Sequence, residues 1–538
     1  MARLNTNSED YVVKNDSGVP VARKEIRLQY TGYVIFAAKL IGVATGLIFQ
    51  FMLARAIAPG SPEYGIWGNL NTVIPYFTLL AGIVPFWVMR CVARQKQGAA
   101  KTGLAMNLLF SAISMVVYLA VIPLILPSLL SEAGVTNPAA YLPFYLIASV
   151  QILELYLLGL FEPCIQASTP QSVGYGLILQ QVVRVVIGYV IIVQFGQPLL
   201  GAVVSTIIAL SVQAVYYCKL LAVELKQRVQ WGYVKEWLKG SVLIIYSVVG
   251  GQVAAFIFIM LFYYGGFQSM EIYYLALQIA NVITHSGSLS FALYPKLLTE
   301  KREEHVTDSM KTVLMFALPM TVGAIALSNS YIGLLRPETL ATFPGSEQVL
   351  MVLALDAFVT VVSGIYASVL IGVETVDRER FSVKSMVKSK LFLLYSLSYV
   401  HSAITIPITY YALTTFAFQQ PLIAALSVVV INSIVRFAMF LILVMMVRGM
   451  MKVAVPWRSI AKYALATAIM GVVLFLLPYS SRISTTLIWT AIGGAVYLGV
   501  LILIDKETRS LPKSVLQELK GKKNQNTEGD DKSQKVTS

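Results

Sequence analysis

The chain is 538 residues long, 57% hydrophobic and only 13% charged, with a formal net charge of +14. A soluble domain of this length would not tolerate so few charges, which excludes most soluble enzymes and nucleic-acid binders at once. Cys91, Cys164 and Cys218 form no CxxC pair and are odd in number, which argues against disulfides and against a zinc site.

Residues 1–29 read as a polar cytoplasmic tail. Between Tyr30 and Asp505 come fourteen apolar stretches, each long enough to cross about 30 Å of hydrocarbon as a helix of roughly 20 residues. They are expected near 31–54, 69–90, 103–127, 140–161, 172–194, 199–222, 241–264, 270–294, 311–334, 348–372, 390–413, 421–447, 459–478 and 485–504. The first has no small-residue cleavage site behind it and is expected to stay as a helix. After the sixth span, the segment 224–240 is charged and amphipathic and reads as a linker helix on the cytoplasmic surface. It separates a lobe over 30–223 from a second lobe over 241–447; an added pair follows over 448–505, then a lysine-rich tail over 506–538. The expected fold class is an all-α polytopic membrane protein of about 14 transmembrane helices, in two six-helix lobes plus an extra C-terminal pair.

Charge fixes the orientation. With the N-terminus in the cytoplasm, 35 of the 41 Lys and Arg fall in cytoplasmic tails, loops and helix ends. Arg55, Arg336 and Arg482 fall on the outer side, and Lys39, Arg184 and Arg436 within spans. This is a positive-inside bias, and an even number of spans returns the C-terminus to the cytoplasm. Topology and contact with anionic membrane lipids account for the basic excess, so no nucleic-acid partner is implied.

The two lobes carry traces of a repeat. Phe195-Gly-Gln-Pro-Leu-Leu-Gly-Ala202 aligns with Phe418-Gln-Gln-Pro-Leu-Ile-Ala-Ala425, each at the turn between the fifth and sixth spans of its lobe. Ile41, Gly42, Met52, Leu53 and Glu63 match Val249, Gly250, Met260, Leu261 and Glu271 without a gap. Six spans per lobe gives a parallel repeat, with a pseudo-twofold axis along the membrane normal and a central cavity.

Ionisable groups within spans are costly and usually face a bundle interior or water. Lys39 opens a stripe with Gly42, Gly46 and Gln50; Gln180, Arg184 and Gly188 form a second, and Asn432 and Arg436 a third. Gln151 and Glu154 share a face of span four. Gln278, Asn281 and His285 line one face of span eight, and Asp356 and His401 stand alone in spans ten and eleven. Each has a plainer reading. Lys39 could snorkel to the headgroups. Arg184 and Arg436 could form structural ion pairs with Glu154 or Asp356. His285 and His401 could be packing residues, and the glycine faces could serve close helix contact. Arg90, with Arg94 and Lys96, could set topology alone or reach the cavity mouth. Taken together, basic side chains from both lobes at membrane depth suggest a cavity that attracts an anion, and Arg pairs well with phosphate oxygens. Acidic groups there could bind a coupling ion or tune the cations. No GxxxxGK[ST] loop and no HExxH motif occurs, so a secondary transporter fits better than an enzyme.

The stretch Met52-Leu-Ala-Arg-Ala-Ile-Ala-Pro-Gly-Ser-Pro-Glu-Tyr-Gly-Ile-Trp67 resembles the first outer loop of polysaccharide and lipid-linked oligosaccharide flippases. These belong to the multidrug/oligosaccharidyl-lipid/polysaccharide exporter (MOP) superfamily. Arg90 looks like the basic residue that commonly closes span two in that family. The resemblance covers Tyr30 to Asp505 in architecture and about Lys39–Arg94 in motif. It implies two lobes forming a V, alternating access around a central cavity, and a monomer in the plasma membrane of a prokaryote. The implied substrate is a glycan linked to a polyprenyl or dolichyl phosphate. Arg55 matches the family's Ala-Arg position, and Lys39 sits where related lipid II flippases place basic residues. Arg184 and Arg436 match no motif of the family.

The expectation is therefore a flippase without cofactor or metal. Lys39, Arg55, Arg90, Arg184 and Arg436 would hold the phosphate or pyrophosphate headgroup. Glu154, Asp356, His285 and His401 would serve coupling to H+ or Na+, or charge balance. Gln50, Gln180, Gln278, Asn281 and Asn432 would line the cavity. The rivals are a drug or metabolite antiporter of the same superfamily, whose cavity usually carries decisive carboxylates, and a non-transporting scaffold of a glycan assembly complex.

Overall fold

The structure, a computed structural model, describes residues 11–14, 20–23, 28–169, 171–290, 303–373, 389–451, 453–505 and 509. Among them, eleven helices are long and apolar enough to cross a membrane, or twelve if one bent pair counts as a single span. The all-α, multi-pass architecture expected from hydropathy is present. Outward-facing apolar side chains such as Leu124, Phe475 and Leu503 are 79%, 81% and 78% exposed, while Asn69, Asn107 and Gln213 are buried. That is the arrangement of a bundle whose solvent is lipid.

The apolar stretches are packaged less regularly than hydropathy suggests. α1 covers Leu28–Ala56. The second stretch is broken into α2 (Glu63–Phe77) and α3 (Ile83–Ala93), bent by 57° around a short 3-10 turn at Leu79–Gly82. Pro75, inside α2, removes a backbone donor just before the break. α4 (Ala99–Glu132), α5 (Leu142–Ser168), α6 (Gln171–Gly188) and α7 (Pro198–Leu220) follow, with α6 running on as a π-helical turn over Tyr189–Gln194. The linker is α8 (Trp231–Gly240).

The seventh and eighth stretches join in one continuous run, α9 (Val242–Thr284), interrupted only at Gly266. Gly266 has φ 84° and ψ 171°, a conformation essentially closed to residues with a Cβ, so two spans meet there without a loop. The ninth stretch ends early: α10 (Glu303–Ala326) is followed by the short α11 (Ser328–Leu335) and a turn of helix at Pro337–Thr342. α12 (Ser346–Val373), α13 (Lys390–Thr414), α14 (Pro421–Arg448), α15 (Trp457–Phe475) and α16 (Ile483–Ile504) complete the bundle. Within the N-terminal tail, Tyr11–Lys14 pairs antiparallel with Pro20–Arg23, a small hairpin that hydropathy gives no reason to expect. The tail beyond residue 509 lies outside the described residues.

The sequence echo at the two Gln-Pro turns has a backbone counterpart. Gln197 and Gln420 cap α7 and α14 with nearly the same dihedrals, φ −114° and ψ 78° against φ −116° and ψ 88°. Each is followed by proline at the first helical position, where its missing N–H costs nothing. Each is preceded by a left-handed residue, Gly196 at φ 64° and Gln419 at φ 56°.

Loops gather on two faces. On the linker face, the segment leading into α8 is pinned to the start of α4: Gly98 N donates to Gln227 Oε1 at 2.5 Å and Gln230 N to Thr102 Oγ1 at 2.8 Å. Trp237 of α8 is buried, and Trp87 of α3 donates to Ser241 Oγ at 2.8 Å. The opposite, distal face carries the loops after α1 and α4, the turn at Gly266, α11, and the loop between α15 and α16. Cys91 and Cys164 are buried and Cys218 is exposed, and all three are free thiols.

Candidate functional site

The two halves of the chain meet where α1, α2 and α6 approach the part of α9 beyond Gly266. Gly68 of α2 lets the Tyr274 ring come close; a Cβ there would lie 3.0 Å from it. Tyr274 packs edge-on against Tyr64, with ring centroids 5.9 Å apart, and Tyr64 donates to Gln50 Oε1 of α1 at 3.2 Å. Tyr274 also lies against Gln278 and within electrostatic reach of Arg184. Arg184 sits on α6 above the Phe49 ring, 4.7 Å from guanidinium carbon to centroid. Gly46 provides the room: a Cβ there would meet the Arg184 guanidinium at 3.5 Å. The Arg184 Nε is buried with no hydrogen-bond partner, and among the described residues no carboxylate pairs with it. The result is an under-bonded cation among aromatic and amide groups contributed by both halves. Such a group interacts strongly with an anion that reaches it.

The second arginine is placed differently. Arg436 of α14 forms an ion pair with Asp356 Oδ2 of α12, and its Nη1 also donates to Thr360 Oγ1 at 3.0 Å. Asp356 is buried and Arg436 is about one-third exposed. His401 of α13 is buried beside Arg436, and Asn432 is buried one turn earlier on α14. Of the pairings open from sequence, Arg436–Asp356 forms, while Glu154 meets no arginine among the described residues. Glu154 of α5 instead accepts from Ser211 Oγ of α7 at 2.5 Å.

Arg55 lies on the distal face. Its Nε and Nη2 donate to the Leu334 carbonyl at 3.2 and 3.0 Å, and its Nη2 also reaches the carbonyls of Gly333 at 3.4 Å and Ser481 at 3.3 Å. It thereby ties the end of α1 to α11 and to the α15–α16 loop. Arg90 is held near the linker face over the rings of Phe86 and Trp87, at 4.1 and 6.0 Å. Gln180 is half-buried on α6 and Gln278 half-buried on α9, Asn281 is exposed, and His285 opens a 3-10 segment after α9. The side chain of Lys39 lies outside the described residues.

Sequence reasoning missed the distal closure. Arg336, 2% exposed, pairs with Glu271 at 3.3 Å and donates from Nη2 to the Ala58 carbonyl across the two halves at 2.9 Å. Glu271 is also bonded by Thr339 at 2.6 Å. Nearby, Phe267 N donates to the Ala133 carbonyl at 3.0 Å, a backbone bond between halves. A Cβ on Gly65 would overlap the Phe267 carbonyl oxygen, so the contact requires glycine. The available signal was the repeat echo pairing Glu63 with Glu271: both carboxylates lie near Arg336. Midway through the interface, Tyr76 of α2 donates to the Gln252 carbonyl at 3.1 Å beside an apolar recess of about 210 Å³.

No known family profile matches the sequence, and no curated protein matches it. Solved structures do match. A lipid II flippase MurJ in an inward closed conformation superposes with a TM-score of 0.60 at 16% identity, over 87% of this chain and 98% of that one. A multidrug resistance MATE transporter of the MOP superfamily, in an inward-facing conformation, gives 0.55 at 13% identity, over 78% and 98%. A MOP transporter from Pyrococcus furiosus, described as having a binding pocket of reversed polarity, gives 0.52 at 13%, over 78% and 96%. At such identities the likeness is one of fold. The chain has the fold shared by the flippase and MATE transporters of the MOP superfamily, the group its first distal loop resembles.

Proposed function

We propose that this protein is a secondary transporter that moves a lipid-linked oligosaccharide or polysaccharide precursor across the cell membrane by alternating access. The carrying observation is Arg184: a cation at the contact between halves, deep in the bundle, with no counter-charge among the described residues. An arginine kept in that state is expensive unless it meets an anion at some stage of the cycle. A phosphate or pyrophosphate headgroup supplies that anion with matching geometry. Tyr274 lies within its electrostatic reach, and Tyr64, Gln50 and Gln278 are joined to Tyr274 through ring and hydrogen-bond contacts. Gln180, one turn before Arg184 on α6, belongs to the same proposed surface. Arg436 is already neutralised by Asp356 and would join only if that pair opened. Arg55, whose donors are taken by carbonyls, is assigned to the distal closure.

The test is flipping of a fluorescent lipid-pyrophosphate-linked sugar in proteoliposomes, comparing the native chain with Arg184→Ala. Saturable movement, lost in the variant while the protein still reaches the membrane, supports the headgroup site. No movement, with efflux of organic cations from the same vesicles, would assign the chain to the drug and metabolite antiporters instead. Movement unchanged by the substitution would remove Arg184 from the site.

A further inference from the structure

Four carboxylates are buried among the described residues: Glu154, Glu271, Asp356 and Asp505, exposed by 3%, 6%, 6% and 3%, and Asp505 is paired with Lys462 at 2.9 Å. Glu271 faces Arg336 and Asp356 faces Arg436. Glu154 faces no cation among the described residues. Its Oε1 takes the Ser211 hydroxyl, and its Oε2 is buried without a partner. The side-chain nitrogen of Gln151, one turn away on the same face and 4% exposed, is also buried without one.

A titratable group on each helix packed against α5 makes its own contacts, and none of these groups is paired with Glu154. Tyr64 of α2 bonds Gln50, Arg90 of α3 covers Phe86, and Tyr118 of α4 bonds the Tyr145 carbonyl. Arg184 of α6 covers Phe49, and Tyr217 of α7 bonds the Val173 carbonyl. An ionised carboxylate enclosed in this way carries a large uncompensated desolvation penalty.

We propose that Glu154 is a proton-binding site and that its proton comes from the linker face. Protonation places O–H on Oε2 and removes the charge, while Ser211 continues to donate to Oε1. Glu162 lies two turns further along α5, about 12 Å toward the linker face at 1.5 Å per residue. Its carboxylate accepts from Gln213 Nε2 at 3.1 Å, and Gln213 also meets the Tyr217 hydroxyl at 3.0 Å. Glu162 is half-buried, so it stands between water and the enclosed Glu154. Both carboxylates bond to α7, so a displacement of α7 against α5 changes their surroundings together. The binding itself stands apart from the headgroup reading; only its use in driving transport rests on that reading.

Infrared difference spectroscopy of the full chain in lipid, without any lipid-linked substrate, tests the site. The expected result is a carbonyl stretch of a protonated carboxyl group that vanishes in Glu154→Gln, shifts in Glu154→Asp, and is unmoved when Na+ replaces choline at fixed pH. Ser211→Ala, which removes one hydrogen bond from the carboxyl group, should shift the same band and serves if Glu154→Gln does not fold. A band untouched by both substitutions overturns the proposal. A band abolished by Na+ at fixed pH also overturns it, because the ligand would then be a metal cation. Arg184→Ala should retain the band, so failure of the headgroup reading leaves this result distinguishable.

Discussion

Arg184 and Arg436 show what sequence can say about a buried charge. Both were legible as mid-span cations because a charge at that depth has few explanations. Which of them is paired was not legible, because the partners come from helices distant in sequence and the rotation of each helix decides contact. Asp356 turns toward Arg436; Glu154 turns toward Ser211. The difference predicts contrasting stabilities. Removing one member of a buried pair orphans the other, at a cost of roughly 3–5 kcal/mol. Arg436 is partly exposed, so the low end applies. Arg436→Ala should lower the thermal midpoint in detergent markedly, and Arg436→Ala with Asp356→Ala should recover most of the loss. Arg184→Ala should leave the midpoint near the native value or raise it, because it orphans no carboxylate. A midpoint that falls as far for Arg184→Ala as for Arg436→Ala would show that Arg184 has a structural partner after all.

At the level of elements, the apolar stretches were readable because a helix must satisfy its own backbone in lipid. Their breaks and junctions were not. Hydropathy predicts neither break: the second stretch is expected as one span over 69–90 although Pro75 precedes the bend between α2 and α3, and the direct junction of two spans at Gly266 depends on a single dihedral. The Gln-Pro turns were the most informative short motif, since proline and the residue before the capping glutamine fix the turn in both halves. The two turns differ in how comfortably they do so. Gly196 adopts its left-handed conformation freely, whereas Gln419 bears a Cβ at φ 56°, which costs about 1 kcal/mol. Gln419→Gly should therefore raise thermal stability slightly, and Gly196→Ala should lower it by a similar amount. Thermal shift of the two variants side by side checks this; a loss in Gln419→Gly would mean that its side chain contributes more than its backbone strain removes. Gly266→Ala should be far more disruptive, lowering membrane expression, because no L-residue readily adopts its dihedrals.

The whole molecule is closed on its distal face, and the closure is built from unequal parts. Arg336 and Glu271 form a buried pair within one half, and Arg336 reaches across to the Ala58 carbonyl. Phe267 and Ala133 share a backbone bond, with Gly65 packed beneath it. Arg55 binds three carbonyls from the rim, one of them on the loop of the added helix pair. Under the proposed alternating access, all of these contacts between halves must break together. Arg336→Ala would be ambiguous, because it orphans Glu271 and perturbs the second half itself. Arg55→Ala is cleaner: Arg55 is exposed, and water can serve the released carbonyls when the face opens. Losing its bonds should cost the closed state about 1.4 kcal/mol, or tenfold in the ratio of open to closed molecules. Spin labels at Ser61 and Glu338, in a chain with Cys218 replaced, report that ratio as a second, longer distance. Its population should grow in Arg55→Ala and be suppressed where the distal face is locked by an engineered cross-link. An unchanged distribution in Arg55→Ala would place the closing energy in the Arg336 and Phe267 contacts, and the added helix pair would then have no part in holding the distal face shut.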